Sequence, residues 1–154
     1  MPAIIETRLS ELGITLPDAP APAANYVPYV ITGNLVFISG QVARDENGFV
    51  TGKLGAGMDV EAGQQAAGLC ALALVAQLKA ACGGDLDRVS RIVKLTGFVN
   101  AAADFTEHPK VINGASDLLG EIFGERGPHA RAAVGSSSLP LGVAVEIEGV
   151  FEIA

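Results

Sequence analysis

Tryptophan is absent from this chain of 154 residues, and aromatic residues together make up only 5% of it. A base-stacking platform for single-stranded nucleic acid needs several such rings, so that kind of surface is not expected. Cations are also few: ten Lys and Arg stand against seventeen Asp and Glu, a formal net charge of -7. They are scattered from Arg8 to Arg131, and the densest group is Arg88, Arg91 and Lys94. A strand would split those three between its two faces. A sequence-independent grip on phosphates needs several cations on one face, so no nucleic-acid partner is expected.

Cysteine is nearly missing as well. Cys70 and Cys82 fall in one helical segment, twelve residues apart and too far along a helix to bridge. No Cys/His spacing resembles a metal site, so no metal and no cofactor is expected. Reduced, buried thiols in a cytoplasmic protein are the simplest reading. The first residues lack a basic stretch ahead of an apolar core, so no signal peptide is expected. The longest apolar tract, residues 68–76, is too short to span a bilayer, and no membrane partner is expected.

What is abundant is apolar surface. Hydrophobic residues make up 49% of the chain and charged residues 18%, and the mean hydropathy is +0.40. That is more than a small monomer hides. The excess points to burial between copies, hence a homo-oligomer.

Residues 1–24 read as an N-terminal extension: a short helix over 6–12, then an arm over 16–24 whose three prolines deny it regular structure. Residues 25–154 read as one domain. Strands are expected over 26–30 and 34–39, around the turn pair Gly33-Asn34. Asp59 or Met58 opens a helix reaching Ala81, apolar around most of its girth and stopped by Gly83-Gly84. A strand follows over 89–100, rich in Val, Ile, Thr and Phe. A second helix runs over 109–123, with Pro109 in its first turn. Two strands over 129–135 and 143–153 close the chain. Strand pairs flanking two helices imply an α+β fold, with the helices on one face of a mixed sheet and the other face needing cover.

Arg131 stands alone in a run that is otherwise small, apolar or hydroxylic, and Glu146 is the next acidic residue after it. A guanidinium among alanines and valines needs an anion. If the last two strands form a hairpin centred between Ser138 and Leu139, Arg131 and Glu146 lie opposite each other. They then form a cross-strand ion pair, or they share a pocket in which Arg131 grips a carboxylate and Glu146 handles a water. Pairing with Arg131 would keep Glu146 ionised. The same register places His129 opposite Glu148. His108 reads as a solvated residue ahead of the second helix, and Asp85 and Asp87 as turn caps.

The run Arg131-Ala-Ala-Val-Gly-Ser-Ser-Ser-Leu-Pro140, followed by Val145-Glu146-Ile-Glu148-Gly, resembles the RidA family, also called YjgF or, by an older label, endoribonuclease L-PSP. Tyr26-Val-Pro-Tyr, Gly33-Asn34 and Ile38-Ser39-Gly40-Gln41 resemble its N-terminal hairpin. Asp104-Phe105 and Asn113 resemble its second helix region. The resemblance covers residue 25 to the C-terminus, and the extension marks a subgroup. It implies a chorismate-mutase-like homotrimer with clefts between subunits that bind a small carboxylate-bearing metabolite. It further implies hydrolysis of reactive 2-imino and 2-enamino acids to 2-keto acids and ammonia. By position, Arg131 resembles the carboxylate-binding arginine and Glu146 the residue that positions water, while Tyr26, Ser39, Gly40 and Asn113 resemble cleft-lining residues. The chain departs from the common pattern at Ala133, where the family carries Cys, and at Gly135, often acidic; these smaller residues should open the cleft or change its polarity. A non-catalytic keto-acid-binding protein of the same fold is the alternative. A ribonuclease or translation inhibitor is disfavoured by the acidic charge.

Overall fold

Ile5 and Leu9 are spaced so that a helix presents them on one face, and α1 (Ile4–Glu11) buries both in the core. In the computed structural model, which describes residues 3–22 and 24–154, this helix is tied down from far along the chain. The Asp87 carboxylate accepts hydrogen bonds from the backbone N–H of Ile4 and of Ile5, both at 2.9 Å. Asp87 therefore caps α1, while Asp85 alone caps the turn Leu86–Arg88 as expected. The arm that follows packs Leu12, Ile14 and Leu16 against the core. The Gln77 amide donates to the Pro20 carbonyl at 2.6 Å. Met1 and Pro2 of the extension and Ala23 of the arm lie outside the described residues.

β1 (Tyr29–Thr32) and β2 (Leu35–Val42) form the expected hairpin, with Gly33 at φ 60° supplying the left-handed residue that a two-residue turn requires. Two miniature pairs follow: β3 (Arg44–Asp45) with β4 (Gly48–Phe49), and β5 (Lys53–Leu54) with β6 (Gly57–Met58). The Asp59 side chain then accepts from the Ala62 N–H and opens α2 (Val60–Ala81), which ends at Gly83 and Gly84 with φ of 65° and 95°. β7 (Val89–Asn100) and α3 (His108–Phe123) come next, then β8 (Ala130–Ser136) and β9 (Val145–Ile153).

The main sheet has the order β1-β2-β9-β7-β8. Only β7 and β8 are parallel; every other neighbouring pair is antiparallel. The fold is thus α+β, with a mixed sheet and α2 and α3 on one face. Alternation along β9 shows the two faces: Val145, Ile147, Gly149, Phe151 and Ile153 are buried towards the helices. Glu146, Glu148, Val150 and Glu152 face the other way, beside Val30, Phe37 and Val134, three large apolar side chains that are exposed.

The two helices touch through glycine. A Cβ built on Gly114 of α3 would lie 2.2 Å from the Gln64 carbonyl oxygen of α2. A Cβ on Gly97 of β7 would lie 2.5 Å from Ile112 Cδ1, so α3 also sits close on the sheet. These contacts set the depth at which α3 carries Asn113 and Ser116.

The C-terminal pair departs from expectation. β8 and β9 do not form a hairpin; β7 lies between them. The segment joining them passes through a tight turn at Pro140–Gly142, with Leu141 at φ 61°, and returns the chain to the far side of β7.

Candidate functional site

Arg131 pairs in register with Leu95, which pairs in turn with Gly149. Glu146 pairs with Phe98. The two residues are therefore two strands apart and offset by three positions, about 14 Å between their Cα atoms for ordinary sheet spacings. They also face opposite sides of the sheet, Arg131 towards α3 and Glu146 towards the open face. The expected cross-strand pair is absent, and so is a pocket shared within one chain. His129 precedes β8 and likewise does not oppose Glu148, which pairs with Thr96.

The six residues read from the sequence fall into two groups. The first is Arg131 with Asn113. β8 is an edge strand, so the Arg131 side chain reaches over the sheet edge to the start of α3. Its Nη1 donates to Asn113 Oδ1 at 2.8 Å and to Ser116 Oγ at 3.2 Å, and its Nη2 donates to the Pro109 carbonyl at 3.3 Å. All three acceptors are neutral, and no carboxylate lies within ion-pair distance of Arg131 among the described residues. A guanidinium has five N–H groups. The Nε–H and one Nη2–H remain, and these lie on the edge that grips a carboxylate side-on.

The second group is Ser39, Gly40 and Glu146 on the open face, with Tyr26 just ahead in sequence of the Val27 and Pro28 carbonyls that Ser39 bonds. β2 bulges between Ile38 and Gln41, so Ser39 and Gly40 together oppose one residue of β9. The bulge swings Ser39 against the segment after the arm: its N–H donates to the Pro28 carbonyl at 2.9 Å and its hydroxyl to the Val27 carbonyl at 2.8 Å. Tyr26, at the start of that segment, is exposed. Gly40 leaves room for the glutamate, since a Cβ there would lie 2.5 Å from Glu146 Oε2. Glu146 is half-buried, and burial, then the neighbouring Glu148, raise its carboxyl above the usual carboxylate range. The expectation that Arg131 holds it ionised is thus corrected within the chain.

Three residues beyond those six belong to the arginine side. Ser116 sits one helical turn beyond Asn113, and its Oγ lies 2.9 Å from His129 Nε2. His129 Nδ1 lies 2.7 Å from the Gly127 carbonyl. The i, i+3 spacing of Asn113 and Ser116 was the signal available for the serine. His108 is only partly exposed: its ring packs edge-on against Phe105, with centroids 5.2 Å apart, and its Nε2 occupies the space beside Gly135 that a side chain would fill.

Two surface cavities lie elsewhere. One of about 520 Å³ is lined by α1 and the end of α3 around Ile5, Arg8, Phe123 and Arg126. The other, about 440 Å³, is lined by Leu35, Arg91, His129 and Glu152 among others. Neither includes Arg131 or Glu146. Among the described residues no three His, Cys, Asp or Glu side chains converge as metal ligands would. Cys70 and Cys82 are buried and unbridged, and burial pushes the Cys70 thiol far up. Among the described residues no helix is long and apolar enough to cross a membrane.

The chain is similar over 97% of its length to Protein TCP17 of Trypanosoma cruzi, at 52% identity covering 94% of that protein. It is 30% identical to a 2-iminobutanoate/2-iminopropanoate deaminase of Dermatophagoides farinae, over 91% of this chain and 94% of the relative. Its fold matches the crystal structure of E. coli TdcF with bound serine at a TM-score of 0.60 and 26% identity, over 88% of this chain and 94% of that one. The model described as "YjgF/chorismate_mutase-like, putative endoribonuclease" matches residues 6–150. With its mixed sheet, its two helices on one face and this match across most of its length, the chain belongs to the YjgF/chorismate mutase-like family.

Proposed function

We propose that the protein is an enamine/imine deaminase, converting small 2-imino and 2-enamino acids to 2-keto acids and ammonia. The observation that carries this is the Arg131 guanidinium: three neutral acceptors fix it, no carboxylate among the described residues neutralises it, and its side-on edge is free. The serine in TdcF and the activity named for the mite relative agree with a small carboxylate substrate.

The two half-sites work together in a homotrimer. They lie on opposite faces of the sheet, so a small substrate cannot touch both within one chain. A second copy facing the open sheet surface brings the Tyr26, Ser39, Gly40 and Glu146 wall against the Arg131 and Asn113 wall of its neighbour. Covering that surface also buries Val30, Phe37 and Val134, whose exposure asks for a partner.

In that cleft Arg131 binds the substrate carboxylate, and Asn113 holds the guanidinium in place. Glu146 accepts a proton from a water as its oxygen adds to the electrophilic imine carbon. Starting from the protonated imine, the carbinolamine takes that proton back on nitrogen, the C–N bond breaks to expel ammonia, and the hydroxyl proton passes to the Glu146 carboxylate as the keto acid's carbonyl forms. Orientation of substrate and water carries most of the acceleration, with general base catalysis adding about 10²–10⁴-fold. No nucleophilic side chain is required.

A non-catalytic keto-acid binder is the second reading. Ala133 and Gly135 depart from the residues the family pattern carries there, and the space beside Gly135 is filled by His108. The test is ammonia release from 2-iminopropanoate generated in situ by an amino-acid oxidase. Acceleration by the wild type and its loss in Arg131→Ala support the deaminase. Binding of 2-oxobutanoate without acceleration supports the binder, and neither binding nor acceleration rejects both.

A further inference from the structure

The hydrogen bonds behind Arg131 have a fixed direction. The Gly127 carbonyl can only accept, so at 2.7 Å the Nδ1 of His129 must carry the proton. Without that proton, two acceptors would face each other. In the neutral ring, Nε2 is then an acceptor, and the partner it meets at 2.9 Å is Ser116 Oγ. The Ser116 proton is therefore directed at His129. The serine turns its lone pairs to Arg131 Nη1, which lies 3.2 Å away and can only donate. Backbone carbonyl, imidazole, hydroxyl and guanidinium form one chain with a single consistent polarity.

This matters for which edge of the arginine is presented. Asn113 Oδ1 and Ser116 Oγ together take both Nη1 protons, and the Pro109 carbonyl takes one Nη2 proton. Nη1 is thus saturated, and only the Nε–Nη2 edge is left for a ligand. A serine free to rotate would offer its own proton to Arg131 in part of its orientations, and the guanidinium could swing about its long stem.

We propose that His129, held as the Nδ1–H tautomer by the Gly127 carbonyl, locks the Ser116 hydroxyl and so positions Arg131 to take a carboxylate side-on. His129 and Ser116 are positioning residues; neither touches the ligand. The proposal rests on the reading of Arg131 as the carboxylate anchor.

The test combines imidazole and guanidinium NMR on the full-length protein with calorimetric binding of 2-oxobutanoate. His108 is the only other histidine, so a His108→Gln variant assigns the ring signals. The His129 ring is expected as the Nδ1–H tautomer, with resolved, slowly exchanging Arg131 Nη signals. Ser116→Ala and His129→Phe should collapse those Nη signals and weaken 2-oxobutanoate by about tenfold, the size of one charge-assisted hydrogen bond. Ser116→Thr keeps the hydroxyl, and His129→Gln keeps an acceptor where Nε2 was; both should stay within about threefold of wild type. An Nε2–H tautomer, or wild-type Arg131 signals in both disrupting variants, overturns the proposal. A wild type that binds no keto acid rejects Arg131 as the anchor, while the tautomer and the guanidinium signals still decide the relay.

Discussion

Gly114 is where one added methyl group should do most damage for its size. Its Cβ would lie 2.2 Å from the Gln64 carbonyl oxygen and 2.7 Å from that residue's C and Cα. These are backbone atoms inside α2, so no side chain can rotate away, and α3 must lift off its neighbour. Ala is the better helix former by about 0.8–1 kcal/mol. Overpacking typically costs about 1–3 kcal/mol, and an obstacle made of rigid backbone belongs at or beyond the upper end. The net loss for Gly114→Ala is then about 2 kcal/mol. For a chain of this length each kcal/mol moves Tm by roughly 2–4 °C, so Tm should fall by about 4–8 °C. Gly120, on the same helix, is the internal control. A Cβ there meets nothing within 4 Å, so Gly120→Ala should keep the propensity gain and raise Tm by roughly 2–4 °C. Differential scanning calorimetry of both variants reads the result. Because α3 carries Asn113 and Ser116, Gly114→Ala should also weaken keto-acid binding, which Gly120→Ala should not. If Gly114→Ala melts at or above the wild-type temperature, the helices do not meet backbone to backbone and the reasoning fails.

Three further outcomes are expected. Glu146→Gln should lower kcat for imine hydrolysis by about 10²–10⁴-fold with little change in KM, and a normal kcat would remove Glu146 from the mechanism. Glu146 must be ionised to act as a base, and burial and Glu148 raise its pKa. The acid limb of kcat/KM should therefore lie above the ordinary glutamate value of 4.5; Glu148→Gln should shift it down, and an unmoved limb would assign it to another group. Asp87→Asn should lower Tm at neutral pH, because the amide keeps one acceptor oxygen and loses one of the two bonds to the α1 backbone. The α1 amides depress the Asp87 pKa. That stability is therefore present above its unfolded pKa and disappears as pH falls through the folded value, so the difference between Asp87→Asn and wild type should close in acid.

The elements and the sites were legible to different degrees, for physical reasons. Val89–Asn100 is a strand in both readings because its β-branched residues sit in a buried central strand, where local preference and packing agree. Asp59 and Gly83-Gly84 mark the ends of α2 because caps act within one turn of the chain. The first hairpin was legible because Gly33-Asn34 closes it in two residues. The clustering of Ser39, Gly40 and Glu146 was not, since it depends on the bulge in β2 and on the β2–β9 register. Asp87 reads as a turn residue from its neighbours, and its true partners lie more than eighty residues earlier in the chain.

The pairing of the last two strands is the most consequential difference. Pro140 and Gly142 look like a hairpin turn between two strand-like runs. A hairpin would leave β7 without its neighbour on one side and turn Arg131 and Glu146 to a common face. Instead β7 takes β8 as a parallel partner on one side and β9 as an antiparallel partner on the other. All three then keep their small or apolar alternate residues, such as Gly97, Ala133 and Ile147, under α3 and α2. The burial pattern thus separates the two charged residues that stand out in the sequence, and it does so by sheet face as well as by distance. On the proposed reading each is half of a site. Arg131 has its positioning partners and lacks an anion, whereas Glu146 has its space, made by Gly40, and lacks a cation. A monomeric enzyme would gain nothing from that division. If the proposed homotrimeric deaminase is right, activity should depend on assembly: mixing Arg131→Ala with Glu146→Gln protomers should restore measurable imine hydrolysis, because such mixed trimers would contain some clefts with both residues intact. If the two inactive variants stay inactive after subunit exchange has been verified by mass spectrometry, the cleft is not built from two chains.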